Sequence, residues 1–166
     1  MELKDAFEQA MKSEIEGREL YKVASERSED PKAKEVFSYL SKEEDSHYHA
    51  LRELSGSYFK GDKIVLRKLP KLARFEDPQS PIFSRDFKNR LTGKHFEMSA
   101  LSIAIRLEYD SIGFYRQMAD ETDDKKLKEF FDELSKWEQT HYDALNKEIA
   151  FLQDEYFEKN NFAPFL

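Results

Sequence analysis

Glu14, Tyr21, Glu44, His47 and Tyr48 recur as Glu108, Tyr115, Glu138, His141 and Tyr142, every residue at a constant offset of 94 positions. The stretch S-K-E-E-D-S-H-Y-H-A-L from Ser41 returns as S-K-W-E-Q-T-H-Y-D-A-L from Ser135. The chain has no cysteine, so any metal must be held by carboxylate and imidazole. Two lone Glu plus two Glu-x-x-His pairs is the ligand set of a two-metal carboxylate site. Glu44 with His47, and Glu138 with His141, stand at i and i+3 on a helix and so share a face. Gathering four carboxylates in a dry interior costs several kcal/mol per ion, and two divalent cations would balance the four charges. Oxygen-rich ligation with one imidazole per metal suits iron or manganese better than zinc. A bridged pair about 3.5–4 Å apart points to redox or oxygen chemistry. Without metal, several of these carboxylates must protonate to be tolerated, and their pKa values are expected to be raised.

One Glu-x-x-His pair alone is a weak signal; two copies, each with a further seam Glu at the same distance upstream, make a strong one. Glu14 is preferred to Glu16, because Glu14 lies on the apolar seam and its repeat partner is Glu108, whereas Glu16 pairs with Asp110 off the seam. Glu16, Glu35 and Glu43 are read as solvated face residues. Tyr21 and Tyr115, two turns beyond the seam carboxylates, are read as core fillers whose hydroxyls need a partner. A hydrogen bond to a ligand carboxylate is the expected role; a part in electron transfer is the sharper alternative. His49 and His95 lie outside the repeat and are read as surface residues.

The elements that must position these groups are long helices. Leu3, Phe7, Ala10, Glu14, Gly17, Tyr21 and Ala24 alternate in steps of four and three, the seam of a bundle helix. Asp30-Pro31 supplies an N-cap and a first-turn proline for the next helix, whose seam is Ala33, Phe37, Leu40, Glu44, His47, Leu51 and Leu54. Ser55-Gly56 reads as its end. A third helix has the seam Leu101, Ala104, Glu108, Ser111, Tyr115 and Met118. A fourth, capped by Thr122 or Asp123, has Leu127, Phe131, Leu134, Glu138, His141, Leu145 and Leu152. The expected spans are about 2–28, 31–55, 94–121 and 123–155, with a tail at 156–166. Between the second and third helices, residues 56–93 are punctuated by Gly61, Pro70, Pro78, Pro81 and Gly93, with one short helical stretch at Phe83 to Leu91. So long a connection fits a crossover along a bundle, since parallel helices cannot be joined by a tight turn. The expected fold is all-α: a single domain, 1–166, of two helical hairpins joined by that crossover.

Composition narrows the function. A net charge of −7 argues against nucleic acid as the main partner. No apolar run approaches the roughly 18 residues of a membrane span, and the acidic, amphipathic start does not read as a signal peptide. A cytoplasmic protein is expected. Lys60, Lys63, Arg67, Lys68, Lys71 and Arg74 stand against a single Asp62. The segment reads as a solvated loop, with a docking patch for an acidic partner as the sharper alternative. Ile64, Val65, Leu66, Ile82, Phe83, Phe162 and Phe165 are more apolar material than a loop and a free end normally display; they point to a homodimer or larger assembly, with cover for their own bundle as the alternative.

Glu14 with Tyr21, Glu44-x-x-His47, Glu108 with Tyr115, and Glu138-x-x-His141 together resemble the ferritin-like diiron-carboxylate superfamily, in particular its rubrerythrin-related branch. The resemblance covers both hairpins. It implies a ferritin-like four-helix bundle, a non-haem centre of two iron ions (manganese or zinc as substitutes), and reduction of peroxide or dioxygen in oxidative-stress defence. It also implies that the six Glu and His residues act through the metals, and that homodimers are common. Two departures stand out. Rubrerythrins proper carry a cysteine-ligated rubredoxin domain; with no cysteine here, electrons are expected from a separate donor protein such as a rubredoxin. Those proteins also carry a further Glu one turn after the third-helix ligand, where this chain has Ser111. Iron oxidation for storage or transfer is the runner-up function, and a metal-stabilised structural bundle the third.

Overall fold

The computed structural model describes residues 2–63 and 95–159. Four helices account for them: α1 (Leu3–Arg27), α2 (Pro31–Lys60), α3 (His95–Glu121) and α4 (Lys125–Lys159). α1 packs on α2 and α3 on α4 along their lengths, and the hairpins meet mainly through α1 and α3. The backbones of α2 and α4 stand further apart. This is the all-α bundle of two hairpins that the two seams imply. The short helix at Phe83 to Leu91, nearly all of the basic segment from Lys60 to Arg74, and the apolar residues Ile64, Val65, Leu66, Ile82, Phe83, Phe162 and Phe165 lie outside the described residues.

Local signals explain the helix ends, with two corrections. Asp30 is the N-cap of α2 and Pro31 opens its first turn, where a missing N–H costs nothing. Gly56 does not end α2; the helix continues to Lys60 and closes at Gly61, in the left-handed conformation at φ 72°. The Gly61 N–H donates to Tyr58 O at 3.1 Å and the Asp62 N–H to Ser57 O at 3.0 Å, satisfying carbonyls that the last turn leaves open. Only glycine takes that backbone shape at little cost, so Gly61 outcompetes Gly56 as the stop. At the start of α4 the cap is Asp124, not Thr122 or Asp123: its Oδ1 accepts from the N–H of Lys126 at 2.8 Å and of Leu127 at 3.2 Å.

The seams become two apolar clusters with a polar layer between them. One contains Phe7, Ala10, Leu51, Leu54, Met118, Leu127, Phe131 and Leu134. The other contains Ala24, Phe37, Leu40, Leu101, Ala104 and Leu145. Each large aliphatic or aromatic side chain sunk in these clusters contributes about 1.5–3 kcal/mol. That burial holds the helices rigidly enough for charged groups to stand in the middle.

Candidate metal centre

The polar layer is made by one buried residue pair from each Glu-x-x-His and one Glu from each of α1 and α3. Glu14, Glu44, His47, Glu108, Glu138 and His141 are all 4% exposed or less. His47 Nδ1 lies 3.1 Å from Glu138 Oε1, 3.3 Å from Glu14 Oε2 and 3.8 Å from Glu44 Oε2. His141 Nδ1 lies 3.2 Å from Glu138 Oε2, 3.3 Å from Glu44 Oε1 and 3.5 Å from Glu108 Oε1. The two imidazoles stand nearly parallel, with ring centroids 5.9 Å apart.

Each nitrogen thus faces three oxygens from three different side chains, and it has one lone pair or one proton to offer them. A hydrogen bond satisfies at most one of these approaches, and both oxygens of Glu138 are left without one. Donor atoms bonded to a common cation at about 2.1 Å stand roughly 3.0 Å apart at right angles and roughly 3.4 Å apart at tetrahedral angles. Five of the six spacings, 3.1–3.5 Å, lie close to that range, and the His47 Nδ1–Glu44 Oε2 spacing of 3.8 Å is wider. They form two four-membered donor sets, Glu14–Glu44–His47–Glu138 and Glu44–Glu108–Glu138–His141. Glu44 and Glu138 give one oxygen to each set, whereas Glu14 and Glu108 belong to one set only. The residues present fit a pair of divalent cations sharing two carboxylates.

Charge in the layer divides the carboxylates. Burial, and then the charges of Glu138 and Glu44, pushes Glu14 well above its ordinary pKa. Burial and Glu138 do the same to Glu108. Burial also opposes ionisation of Glu44 and Glu138, but the two imidazoles prevail and both are lowered. His47 and His141 are raised well above the usual histidine value, because surrounding carboxylates outweigh the effect of burial. The expected rise is thus found at Glu14 and Glu108, while Glu44 and Glu138 fall instead. Periodicity places the carboxylates in one layer, but cannot show that each bridging pair lies against two protonatable rings.

Tyr21 and Tyr115 cross between hairpins. The Tyr21 hydroxyl donates to Glu108 Oε1, and the Tyr115 hydroxyl to Glu14 Oε1. Each tyrosine holds the unshared carboxylate of the opposite half: Glu14 turns its other oxygen, Oε2, toward His47, whereas Glu108 presents the same Oε1 to Tyr21 and to His141. Gly17 makes room beside Glu44: a Cβ there would lie 3.4 Å from its carboxylate carbon and Oε2. The repeat partner of Gly17 is Ser111, partly exposed.

Glu16 and Glu35 are exposed as expected, and so is His49; the side chain of His95 lies outside the described residues. Glu43 is different. It is 4% exposed and not a solvated face residue. The repeat carried the missed signal, because the equivalent position is Trp137, and a solvated helix face rarely holds tryptophan. Trp137 is half-buried, packs against the first apolar cluster, and lies 6.3 Å from the His47 ring.

The rubrerythrin family model matches residues 5–149, a span that contains all six candidate ligands and both tyrosines. No curated protein matches the chain. A solved structure of a hypothetical protein from Pyrococcus furiosus is similar to it, with a TM-score of 0.68 at 22% identity over 93% of this chain and 92% of that one. At that identity the likeness speaks for the fold. Among the described residues, no helix is long and apolar enough to cross a membrane. Family model, bundle and carboxylate–imidazole layer agree that the chain belongs to the rubrerythrin family.

Proposed function

We infer that the protein is a non-haem diiron oxidoreductase that reduces peroxide or dioxygen, using electrons from a separate donor protein, in defence against oxidative stress. One observation carries this reading: two donor sets that share Glu44 and Glu138, each with one imidazole. Glu14, Glu44 and His47 would hold one iron with Glu138, and Glu108, Glu138 and His141 the other with Glu44. Two neighbouring iron ions can together supply the two electrons that, with two protons, convert hydrogen peroxide to two waters. The chain's own contribution is to keep the layer dry between two apolar clusters and to fix the unshared carboxylates through Tyr21 and Tyr115. Oxygen-rich ligation supports iron or manganese over zinc, and zinc would supply no redox chemistry.

The chain has no cysteine to carry electrons inward. Repeated turnover therefore calls for an external carrier such as a rubredoxin. The basic segment from Lys60 to Arg74 is the docking surface we assign to an acidic carrier, with attraction acting mainly on the association rate. Pairing into a homodimer through the apolar crossover and tail belongs to the same reading.

The test is oxidation of protein loaded anaerobically with ferrous iron, mixed in parallel with peroxide and with dioxygen. Faster oxidation by peroxide is expected, together with sustained consumption only when a reductase and a small carrier are added. Protein that holds two irons yet reacts with neither oxidant would be a structural bundle, and the oxidoreductase reading would fall.

A further inference from the structure

The metal-centre reading accounts for every buried carboxylate of the polar layer except its neighbour Glu43. That residue precedes Glu44 on α2 and so lies about 100° round the helix from it. Tyr39, one turn earlier, donates a hydrogen bond to the carboxyl, but Oε2 has no partner. Glu43 belongs to neither donor set, yet it interacts electrostatically with both His47 and His141. Trp137, its repeat counterpart, stands beside the His47 ring from α4, with ring centroids 6.3 Å apart and the planes tilted by 60°. Glu43 and Trp137 thus occupy the side of the centre between α2 and α4, where the helix backbones approach less closely than those of α1 and α3. On the opposite side α1 and α3 pack together and the two tyrosine hydroxyls close over Glu14 and Glu108.

A buried carboxylate with one oxygen unused costs free energy that a proton or a visiting cation relieves. A permanent Lys or Arg partner would neutralise it, and none is paired with it among the described residues. We propose that Glu43 is a capture carboxylate for divalent metal ions, receiving an incoming cation on the α2–α4 side and passing it to the two donor sets. Its chemistry suits this task. The free oxygen can replace part of a hydrated cation's shell, and a single anionic ligand holds a divalent ion too weakly to retain it against four-atom sets nearby. The same residue speeds exit as well as entry, because a waystation changes the barrier and leaves the end states alone.

This inference rests on the metal-centre reading, and the experiment separates the two. Trp137 is the chain's one tryptophan, so its fluorescence reports arrival of paramagnetic Co²⁺ beside His47, while visible absorption counts the ions bound. Wild-type protein that binds no Co²⁺ would overturn the metal-centre reading itself. With two ions bound by wild type, Glu43→Gln is expected to slow Co²⁺ uptake at least fivefold and release to a chelator by the same factor, with stoichiometry and affinity kept. Glu16→Gln, which removes the same charge from an exposed site on α1, is expected to match wild type. Equal rates in the Glu43 variant and wild type, or equal slowing in both variants, would overturn the capture role. So would a loss of stoichiometry or affinity, which would make Glu43 a resident ligand or a structural residue. Should Glu43→Gln fail to fold, Glu43→Ala carries the same expectation, and failure of both to fold assigns Glu43 a structural role instead.

Discussion

The two hairpins repeat each other where metal would be held and diverge one residue away. Glu14, Glu44 and His47 superimpose in role on Glu108, Glu138 and His141, down to the tyrosine that each hairpin lends to the other. Beside each shared Glu, however, the first hairpin has Glu43 and the second Trp137; where Gly17 stands against Glu44 in the first, the second has Ser111 in sequence. Positions that must match are those whose atoms meet around a common centre. Positions beside that centre are free to differ, and there the first hairpin carries a further buried carboxylate while the second carries a half-buried tryptophan. A duplicated site can thus stay symmetric in its ligands and become asymmetric in its access.

Removing a shared ligand should break this comparison most severely. Glu138 gives an oxygen to each donor set, so Glu138→Ala is expected to abolish binding of both ions. Glu14→Ala and Glu108→Ala each remove one unshared oxygen, and each should leave about one ion bound by the other half. Metal analysis of the three variants after gel filtration distinguishes these outcomes. Glu138→Ala protein that retained two ions would sink the assignment of Glu138 as a bridge.

The next largest effect is on pH dependence, and it follows from the buried titratable groups of the polar layer. Glu14, Glu108, His47 and His141 have raised pKa values in the metal-free fold. Stability from a raised group is complete below its unfolded value and is lost as pH rises through the folded value. Glu44 and Glu138 are lowered, so their contribution is present above the ordinary carboxylate value and is lost on further acidification. Metal-free protein should therefore melt higher near pH 5.5 than at pH 8, with stability falling again well below pH 4.5. Bound metal needs these ligands deprotonated, so the loaded protein should lose that advantage at low pH. Thermal melts of both forms across the range check the sign; a metal-free midpoint that climbed between pH 5.5 and pH 8 would count against it.

The smallest effect tests whether the halves are equivalent in their support. Tyr21→Phe and Tyr115→Phe each delete a buried hydrogen bond to a carboxylate, at a cost of about 1–3 kcal/mol. Equal losses in denaturant unfolding of the metal-free variants are expected. A loss confined to one variant would show that the asymmetry beside the centre extends into the tyrosine contacts.

Most of the site was legible in the sequence because helical periodicity and duplication act together. A Glu in a seam of Leu, Phe and Ala is anomalous on its own, and the same anomaly at a constant offset identifies Glu14, Glu44, His47, Glu108, Glu138 and His141 as one set. Helix ends were less legible: Gly56 and Gly61 look alike in a string of letters, and only the backbone hydrogen bonds of the last turn show which one takes the left-handed conformation.

Composition and spacing by themselves determined the all-α class, the two hairpins and the inward-facing carboxylates and imidazoles, because those follow from which residues share a helix face. The tertiary structure decided what depends on distances between helices. It showed that Glu44 and Glu138 are the shared carboxylates and that Tyr21 and Tyr115 reach across hairpins. It also showed that Glu43 lies inside, because the burial of a residue at the edge of a seam is set by the neighbouring helix, and no periodicity within one helix records where that neighbour stands.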